Sequence, residues 1–232
     1  SAVTVQIRDR AGIILDGGFL HNSATSDFQL ENDAWIIGSG DLMDGNDGAV
    51  YVHENSTLRL RYTTIGGSVG VTDSYAELMD CTINGDVNIN CSWVNLNGAT
   101  VKNNAGAEYA ISCDDSMILA AHSDLQGDVN LDDCASVDIP NASISGSLEL
   151  VNSNVAAFRS TEISGDVSTG SSSGLLNFNN ATINGTIDVD HAFTNTLIVL
   201  GIDKGATGSF YSENGNKQIS VQNGIITDIT TV

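Results

Sequence analysis

The most constraining feature of this chain is a short sequence motif that recurs. Residues 82–90 read TINGDVNIN, and related lines begin at Ser123, Ala142, Thr161 and Ala181. Each repeat has one apolar anchor residue, and successive anchors lie 18, 18, 24, 19, 19, 20 and 19 residues apart. The anchors are Ile65, Ile83, Val101, Leu125, Ile144, Ile163, Ile183 and Ile202. A period of about 19–20 residues predicts a solenoid, with an insertion in the unit of Val101.

Apolar and polar residues alternate in two stretches of each unit. The first stretch is apolar at the anchor and four and six residues later, as at Ile83, Val87 and Ile89. The second lies seven and five residues before the next anchor, as at Val94 and Leu96. Alternation with period two marks a strand with one buried face. Two strands per unit predict an all-β single-stranded parallel β-helix, right-handed because parallel crossovers nearly always are.

The same alternation defines the extent of the domain. Segments around residues 2–18, 26–40 and 48–67 each read as one further coil. We therefore assign residues 1–217 to the β-helix, with an irregular N-terminal part over residues 1–47. Near the other end, Asn223-Gly224 lies between alternating runs, a hairpin signal. Residues 218–232 are expected to form a hairpin or cap over the open edge of the stack.

The charge of the chain excludes several classes of partner. Asp and Glu number 29 against 8 Lys and Arg, a net charge of −21. Such a surface repels nucleic acid, anionic membranes and acidic polysaccharides. Without a run of 18 apolar residues, membrane insertion is not expected. The four histidines share no motif, and no Ser-His-Asp order or paired metal ligands can be recognised.

The repeated I-x-G-x-V-x-V line resembles the coils of right-handed parallel β-helix proteins over about residues 48–205. That group includes pectate-lyase-like polysaccharide enzymes and bacteriophage tailspikes, and the pattern is also somewhat similar to polymer-forming bactofilins. The tailspike resemblance implies a homotrimer. A lyase of this type would carry an Arg or Lys base beside calcium. Here Lys102 and Arg159 fall in distant coils, which counts against a lyase.

A column of carboxylates is the first candidate site. Three aspartates follow the repeated glycine in every second coil, with neutral residues expected between them. The aspartates are Asp86, Asp128 and Asp166, and the expected intervening residues are Ala107, Ser147 and Thr186. Carboxylates two coils apart would be separated by about 9–10 Å, near the roughly 6.5–9.5 Å of inverting glycosidases. The favoured alternative is that stacked carboxylates repel and therefore alternate with neutral residues, so no catalytic residue is assigned.

A neighbouring outward column is the candidate glycan-binding face. Its acceptors and donors suit sugar hydroxyls, and the alternative is an ordinary solvated face. The column consists of Asn88, Asn130, Glu149, Ser168 and Asp188. Trp93 and Tyr75 are candidate sugar-stacking platforms.

Acidic loops supply the candidate metal site. Residues 41–48, DLMDGNDG, bring Asp41, Asp44, Asn46 and Asp47 into one glycine-rich loop. Hard cations such as calcium take clustered oxygen ligands, although turns use the same residues. CDDS (113–116) and LDDC (131–134) are similar but weaker candidates.

Three cysteines recur at about the spacing of one coil. Cys91, Cys113 and Cys134 lie 22 and 21 residues apart and are expected to stack in one column. Neighbouring members can form a disulfide, but free thiols in a reducing cytoplasm are the preferred interpretation.

These features predict a non-enzymatic structural or adhesive β-helix. We expect a component of a bacteriophage tail fibre, tailspike or capsid appendage on the virion, contacting a host-surface glycan. Its partners would be further copies of the chain in a homotrimer, a cell-surface polysaccharide or other virion proteins. Beyond a calcium ion, no cofactor is expected. The alternatives are a polysaccharide-degrading hydrolase or lyase, and an extracellular bacterial adhesin or filament-forming subunit at the cell surface.

Overall fold

A computed structural model describes residues 5–16, 27–39, 48–103, 107–170, 175–189, 197–199, 208–211, 217–222 and 225–231. These residues form strands and no helix. Three parallel sheets run along the molecule, and the seven coils between Val50 and Ile183 each contribute one strand to each sheet in turn. The fold is therefore an all-β parallel solenoid, as the repeat predicts.

Neighbouring strands of each sheet come from successive coils. Sheet 1 contains β1 (Val5–Arg8), β3 (Phe28–Glu31), β5 (Val50–Val52), β8 (Val69–Thr72), β11 (Val87–Asn90), β14 (Ile111–Asp114), β17 (Val129–Asp132), β20 (Leu148–Val151), β23 (Val167–Thr169) and β26 (Ile187–Val189). Sheet 2 contains β2 (Gly12–Asp16), β4 (Trp35–Ser39), β6 (Thr57–Arg61), β9 (Tyr75–Met79), β12 (Trp93–Asn95), β15 (Met117–Leu119), β18 (Ser136–Asp138), β21 (Val155–Ala157), β24 (Leu175–Asn177) and β27 (Leu197–Val199). Sheet 3 contains β7 (Thr64–Ile65), β10 (Thr82–Ile83), β13 (Thr100–Lys102), β16 (Asp124–Gln126), β19 (Ser143–Ile144), β22 (Glu162–Ile163) and β25 (Thr182–Ile183).

The anchor residues form one interior file, which confirms the predicted core. Ile83 pairs with Ile65 on one side and Val101 on the other, and Ile163 pairs with Ile144 and Ile183. All of these side chains are buried. The last anchor of the pattern, Ile202, lies outside the described residues. Because each coil buries its apolar face only inside the stack, inward positions repeat while outward positions vary.

The expectation of two strands per coil was wrong, because the seven coils between Val50 and Ile183 each have three. The predicted first stretch is divided by the repeated glycine into a short strand of sheet 3 and a longer strand of sheet 1. The glycines stack closely at this corner. A Cβ added to Gly165 would lie 2.7 Å from the carbonyl carbon of Gly146 and 2.6 Å from the Ser147 hydroxyl oxygen. The glycine is repeated because neighbouring backbones approach too closely for a side chain.

A second type of corner joins sheet 1 to sheet 2 through left-handed residues. Asn55, Asp73, Asp115 and Asp133 adopt positive φ there, as does Cys91 at 47°. Asn and Asp tolerate this conformation better than other non-glycine residues. The next residue in five coils is a serine that faces inward, and the fifth of these is Ser153. The first four of these serines form a serine ladder, in which the backbone N–H of Ser56, Ser74 and Ser92 each donates to the hydroxyl of the next serine, ending at Ser116.

Replacing Cys91 with asparagine is expected to stabilise the protein by about 1 kcal/mol, since the left-handed conformation is less unfavourable for asparagine. Cys91 is exposed, so the change disturbs no core packing. The free energy of unfolding from urea titration measures the effect. Cys91→Val is the matched control and is expected to destabilise, because a β-branched residue tolerates positive φ poorly. Equal stability of the two variants would contradict this explanation of the corner.

The insertion in the unit of Val101 shifts one predicted column. We expected Ala107 between Asp86 and Asp128, but Ala110 occupies that position. Val87 N–H donates to the carbonyl of Ala110, and Ala110 N–H donates to the carbonyl of Asp128. The additional residues lie before β14, so positions counted directly from Val101 are displaced by the inserted length.

Both ends of the stack contain regular pairing. The first strands of sheets 1 and 2 pair in register with strands of the next coil. Towards the other end, β28 (Gly208–Tyr211), β29 (Lys217–Gln222) and β30 (Ile225–Thr231) form a separate antiparallel sheet. In the part of the chain that the structure describes, no helix has the length and apolar character to cross a membrane.

Candidate functional site

The outward face of sheet 1 brings the predicted glycan-binding residues into one line. Register places them one per coil, together with Ser112, whose place in the column the insertion conceals in the sequence. This polar column consists of Asn88, Ser112, Asn130, Glu149, Ser168 and Asp188. All six side chains are exposed or half-buried. Strand spacing separates successive members by about 4.8 Å, so the column is a straight row of hydrogen-bonding groups.

Tyr109 extends from the insertion to the middle of the polar column. Its hydroxyl donates to Glu149 Oε2 at 3.4 Å, although the two residues are 40 positions apart. The Asn130 amide donates to the same oxygen at 3.5 Å. An aromatic ring therefore lies beside an amide and a carboxylate. The long spacing of 24 residues between the anchors Val101 and Leu125 indicated an insertion. It did not indicate which surface the inserted residues would cover.

Next to the polar column, the structure joins the two weaker acidic motifs into one aspartate cluster. Asp114, Asp132 and Asp133 each place a carboxylate oxygen within 4.8 Å of the others. Asp114 and Asp132 pair in register on sheet 1, and Asp133 is the left-handed corner residue that follows. Oxygen ligands of this kind suit hard cations. Burial, with the neighbouring Asp133 and Asp114 charges, raises the pKa of Asp132.

The raised pKa of Asp132 predicts a pH-dependent gain for Asp132→Asn. Above the raised pKa, ionised Asp132 costs the native state stability, so the variant is expected to be more stable at neutral pH. The gain should shrink as pH falls towards the ordinary value of 3.8, because the native state then takes up the proton. Water screens partly exposed charges, so we expect less than about 1 kcal/mol.

Urea titrations of both proteins between neutral and acidic pH measure this gain. Asp188→Asn is the matched control, because it removes one exposed carboxylate of the polar column outside the cluster. A gain from Asp132→Asn that is independent of pH, or matched by the control, would contradict the predicted repulsion.

The carboxylate column predicted as a possible catalytic pair is engaged in bonds between coils. Asp128 Oδ1 accepts the backbone N–H of Ser147 at 2.7 Å. Asp166 Oδ1 accepts both the N–H and the hydroxyl of Thr186, at 2.7 and 2.8 Å. Asp86 accepts hydrogen bonds from the Ser68 hydroxyl and the amide of Asn88. Each of the three aspartates thus accepts at least one hydrogen bond from a neighbouring coil.

The bonds from Thr186 also affect the acidity of Asp166. The backbone N–H of Thr186, followed by its hydroxyl, lowers the pKa of Asp166. A general acid in glycoside hydrolysis needs a raised pKa instead. The arrangement at Asp166 therefore suits a structural acceptor better than a proton donor.

Trp93 lies on the outward face of sheet 2 and does not share a face with the polar column. Its ring stacks on Tyr75 with centroids 4.6 Å apart and planes 8° from parallel. The guanidinium carbon of Arg59, from the coil on the other side, lies 5.0 Å from the Tyr75 centroid. Both faces of Tyr75 are thus covered. The expected sugar-stacking platform at Tyr75 is instead a ladder that joins three coils.

A shallow depression of about 410 Å³ borders this ladder. The corner residues Asn55, Asp73 and Cys91 line it, together with the edges of Tyr75 and Trp93. It offers polar groups at its rim but no free ring face of Tyr75. The predicted calcium ligands Asp41, Asp44, Asn46 and Asp47 lie outside the described residues.

The comparisons with known proteins add no relative. No family model, curated protein or solved structure matches the chain.

Proposed function

We propose that this solenoid is a non-enzymatic structural and adhesive element that binds a neutral glycan along the polar column of sheet 1. The observation that carries the proposal is the contact of Tyr109 with Glu149 beside Asn130. A phenol, an amide and a carboxylate within hydrogen-bonding reach of one another are the groups that recognise sugar hydroxyls and ring faces. A net charge of −21 favours a neutral polymer over an acidic one.

The shape of the column supports a linear polymer as the ligand. One hydrogen-bonding side chain per coil, at about 4.8 Å, offers repeated equivalent contacts along a straight line. Many weak contacts along one rigid surface add to a useful affinity without a deep pocket. A rigid rod with such a face suits an adhesive appendage.

The bonds of the carboxylate column favour this proposal over a polysaccharide-degrading enzyme. Asp128 and Asp166 already accept backbone N–H groups from the next coil, and the pKa of Asp166 is lowered. Their oxygen atoms form hydrogen bonds that join neighbouring coils, which favours a structural role over a catalytic one.

By the same proposal the chain belongs to a bacteriophage tail fibre, tailspike or capsid appendage. The alternative setting for such a rod is an adhesin or filament subunit on a bacterial surface. Further copies of the chain, as in a trimer, would pack through the outward face of sheet 2. Exposed Met117, Val155 and Leu175 lie there. Arg59 pairs with Glu77 at 3.2 Å and Arg159 with Asp138 at 3.1 Å, so the face avoids the repulsion of other acidic surfaces.

Binding and cleavage measured on one sample test the glycan proposal. A panel of neutral and acidic polysaccharides is screened for binding, and release of reducing ends is followed in parallel. We expect binding of a neutral polymer without release. Tyr109→Ala and Asn130→Ala should each weaken binding by about 2- to 10-fold, the value of one hydrogen bond.

Asn154→Ala is the matched control, since Asn154 is exposed but lies outside the polar column. It should leave binding unchanged. Binding that survives Tyr109→Ala and Asn130→Ala together would overturn the assigned face. Reducing ends released by the parent and lost in Asp128→Asn would replace the proposal with an enzyme. Mass in solution, with Met117→Glu as the interface variant, tests the packing through sheet 2.

A further inference from the structure

Two cysteine side chains meet inside the solenoid. The sulfur atoms of Cys113 and Cys134 lie 3.0 Å apart, and both residues are buried. They come from successive coils but not from equivalent positions. Cys113 pairs with Leu131 in sheet 1, whereas Cys134 follows the corner at the position that serine occupies in the ladder. The expected single column of three cysteines was therefore wrong, yet two of the three lie in contact.

We propose that Cys113 and Cys134 are a disulfide site, closed when the chain folds in the presence of a low-molecular-weight disulfide. A disulfide has sulfur atoms about 2.05 Å apart, so these atoms need to approach by about 1 Å. The two thiols lose two protons and two electrons and form one S–S bond. A disulfide such as oxidised glutathione takes these up and leaves as two thiols.

The position of the bond gives it a physical role. Cys113 directly precedes Asp114, and Cys134 directly follows Asp133, so each cysteine adjoins a member of the aspartate cluster along the chain. Like charges in that cluster repel and oppose the pairing of β14 with β17. A covalent link between these coils would hold them together where these carboxylates repel.

The other two cysteines are not part of this pair. Cys91 is exposed at the left-handed corner, with its sulfur 3.8 Å from an Asp115 oxygen. Cys81 is buried at a corner beside sheet 3, where its thiol donates to the carbonyl of Met79 at 3.3 Å. The reduced chain therefore has four thiols, and the proposal predicts that two remain after oxidation.

Burial decides how the bond forms. The thiolate is the reactive species, and both the hydrogen bond with Cys134 and burial raise the pKa of Cys113. A folded, reduced chain exposes neither sulfur to an oxidant. The experiment therefore begins from the unfolded chain, in which both thiols are accessible.

The reduced, denatured protein is refolded with reduced and oxidised glutathione, and its thiols are counted after renewed denaturation. We expect two thiols, with a peptide map that joins Cys113 to Cys134. The oxidised protein should melt about 5–10 °C above the reduced one, because the link closes a loop of about one coil. A reducing agent applied to the unfolded chain should abolish that difference.

Two serine variants make the assignment specific. Cys134→Ser should fold, because serine occupies this corner in neighbouring coils, and should retain all three of its thiols after refolding. Cys91→Ser should lose two thiols as the parent does. Four thiols in the refolded parent, a link mapped to another pair, or a loss of two thiols in Cys134→Ser would each overturn the proposal.

Discussion

Replacing Gly146 with alanine is expected to destabilise the solenoid by about 3 kcal/mol, the upper range for overpacking a rigid site. A Cβ at this position would lie 2.1 Å from Asp128 Oδ1, 2.5 Å from the Gly127 carbonyl carbon and 2.6 Å from the Asp128 nitrogen. Two of these three atoms belong to backbone. The coil cannot move away easily, because Gly146 N–H donates to Gly127 and its carbonyl accepts Gly165 N–H.

Gly170→Ala is the matched control for this prediction. A Cβ there would meet its nearest atom, in the side chain of Val151, at 3.4 Å, an ordinary contact. Removing a glycine where space allows stabilises slightly through the unfolded chain, by about 0.4–1 kcal/mol. Urea titrations of both variants measure the difference. Similar free energies of unfolding would show that the glycine corner tolerates a side chain and that close approach does not explain the repeat.

The interior of this fold was predictable because burial acts on every coil alike. Ile83 and Val87 are buried, and so are the residues at equivalent positions in other coils. Because every coil must bury the same face, an apolar residue recurs at each inward position. The corner between them was not recognised. The alternation of apolar and polar residues continues without a break across the repeated glycine. The pattern therefore does not show that the backbone turns there from sheet 3 to sheet 1. The turn depends on the close approach of backbones from neighbouring coils at the glycine. The sequence of one coil alone does not reveal that approach.

The candidate site was predictable only where the register is uniform. Asn130 and Glu149 belong to coils of regular length, and they stack as expected. Ala110 and Ser112 follow an insertion, and counting from Val101 misplaced that coil. Tyr109 belongs to the insertion itself, which follows no repeat, so its contact with Glu149 depends on tertiary structure alone.

The acidic motifs show the same limit in another way. Asp114 and Asp133 appeared in separate turns, each an ordinary use of aspartate. They meet because two successive coils place a strand end and a corner side by side. The cysteines likewise occupy different positions in their coils. Cys113 lies on a strand and contacts Cys134 after a corner, whereas Cys91 is an exposed corner residue. Equal spacing in sequence therefore predicts stacking only when the coils have equal length.

Phe158→Ala is expected to cost about 3–5 kcal/mol, the range for removing a buried aromatic side chain. Phe158 is fully buried, and its ring stacks on Phe178 of the next coil with centroids 5.2 Å apart and planes 13° from parallel. The substitution leaves a cavity between two coils. Because each coil is supported only by its neighbours, the loss weakens the interface between them directly.

A double variant and an outward control test this interpretation. Phe158→Ala with Phe178→Ala should cost less than the sum of the single changes, because residues in contact share an interaction that is lost only once. Leu175→Ala, three residues before Phe178 on the outward face, should cost less than about 1 kcal/mol, since 37% of Leu175 is exposed. Free energies of unfolding from urea titration measure all four proteins. Strict additivity of the two phenylalanine changes, or a loss at Leu175 as large as at Phe158, would contradict a core that is built coil upon coil.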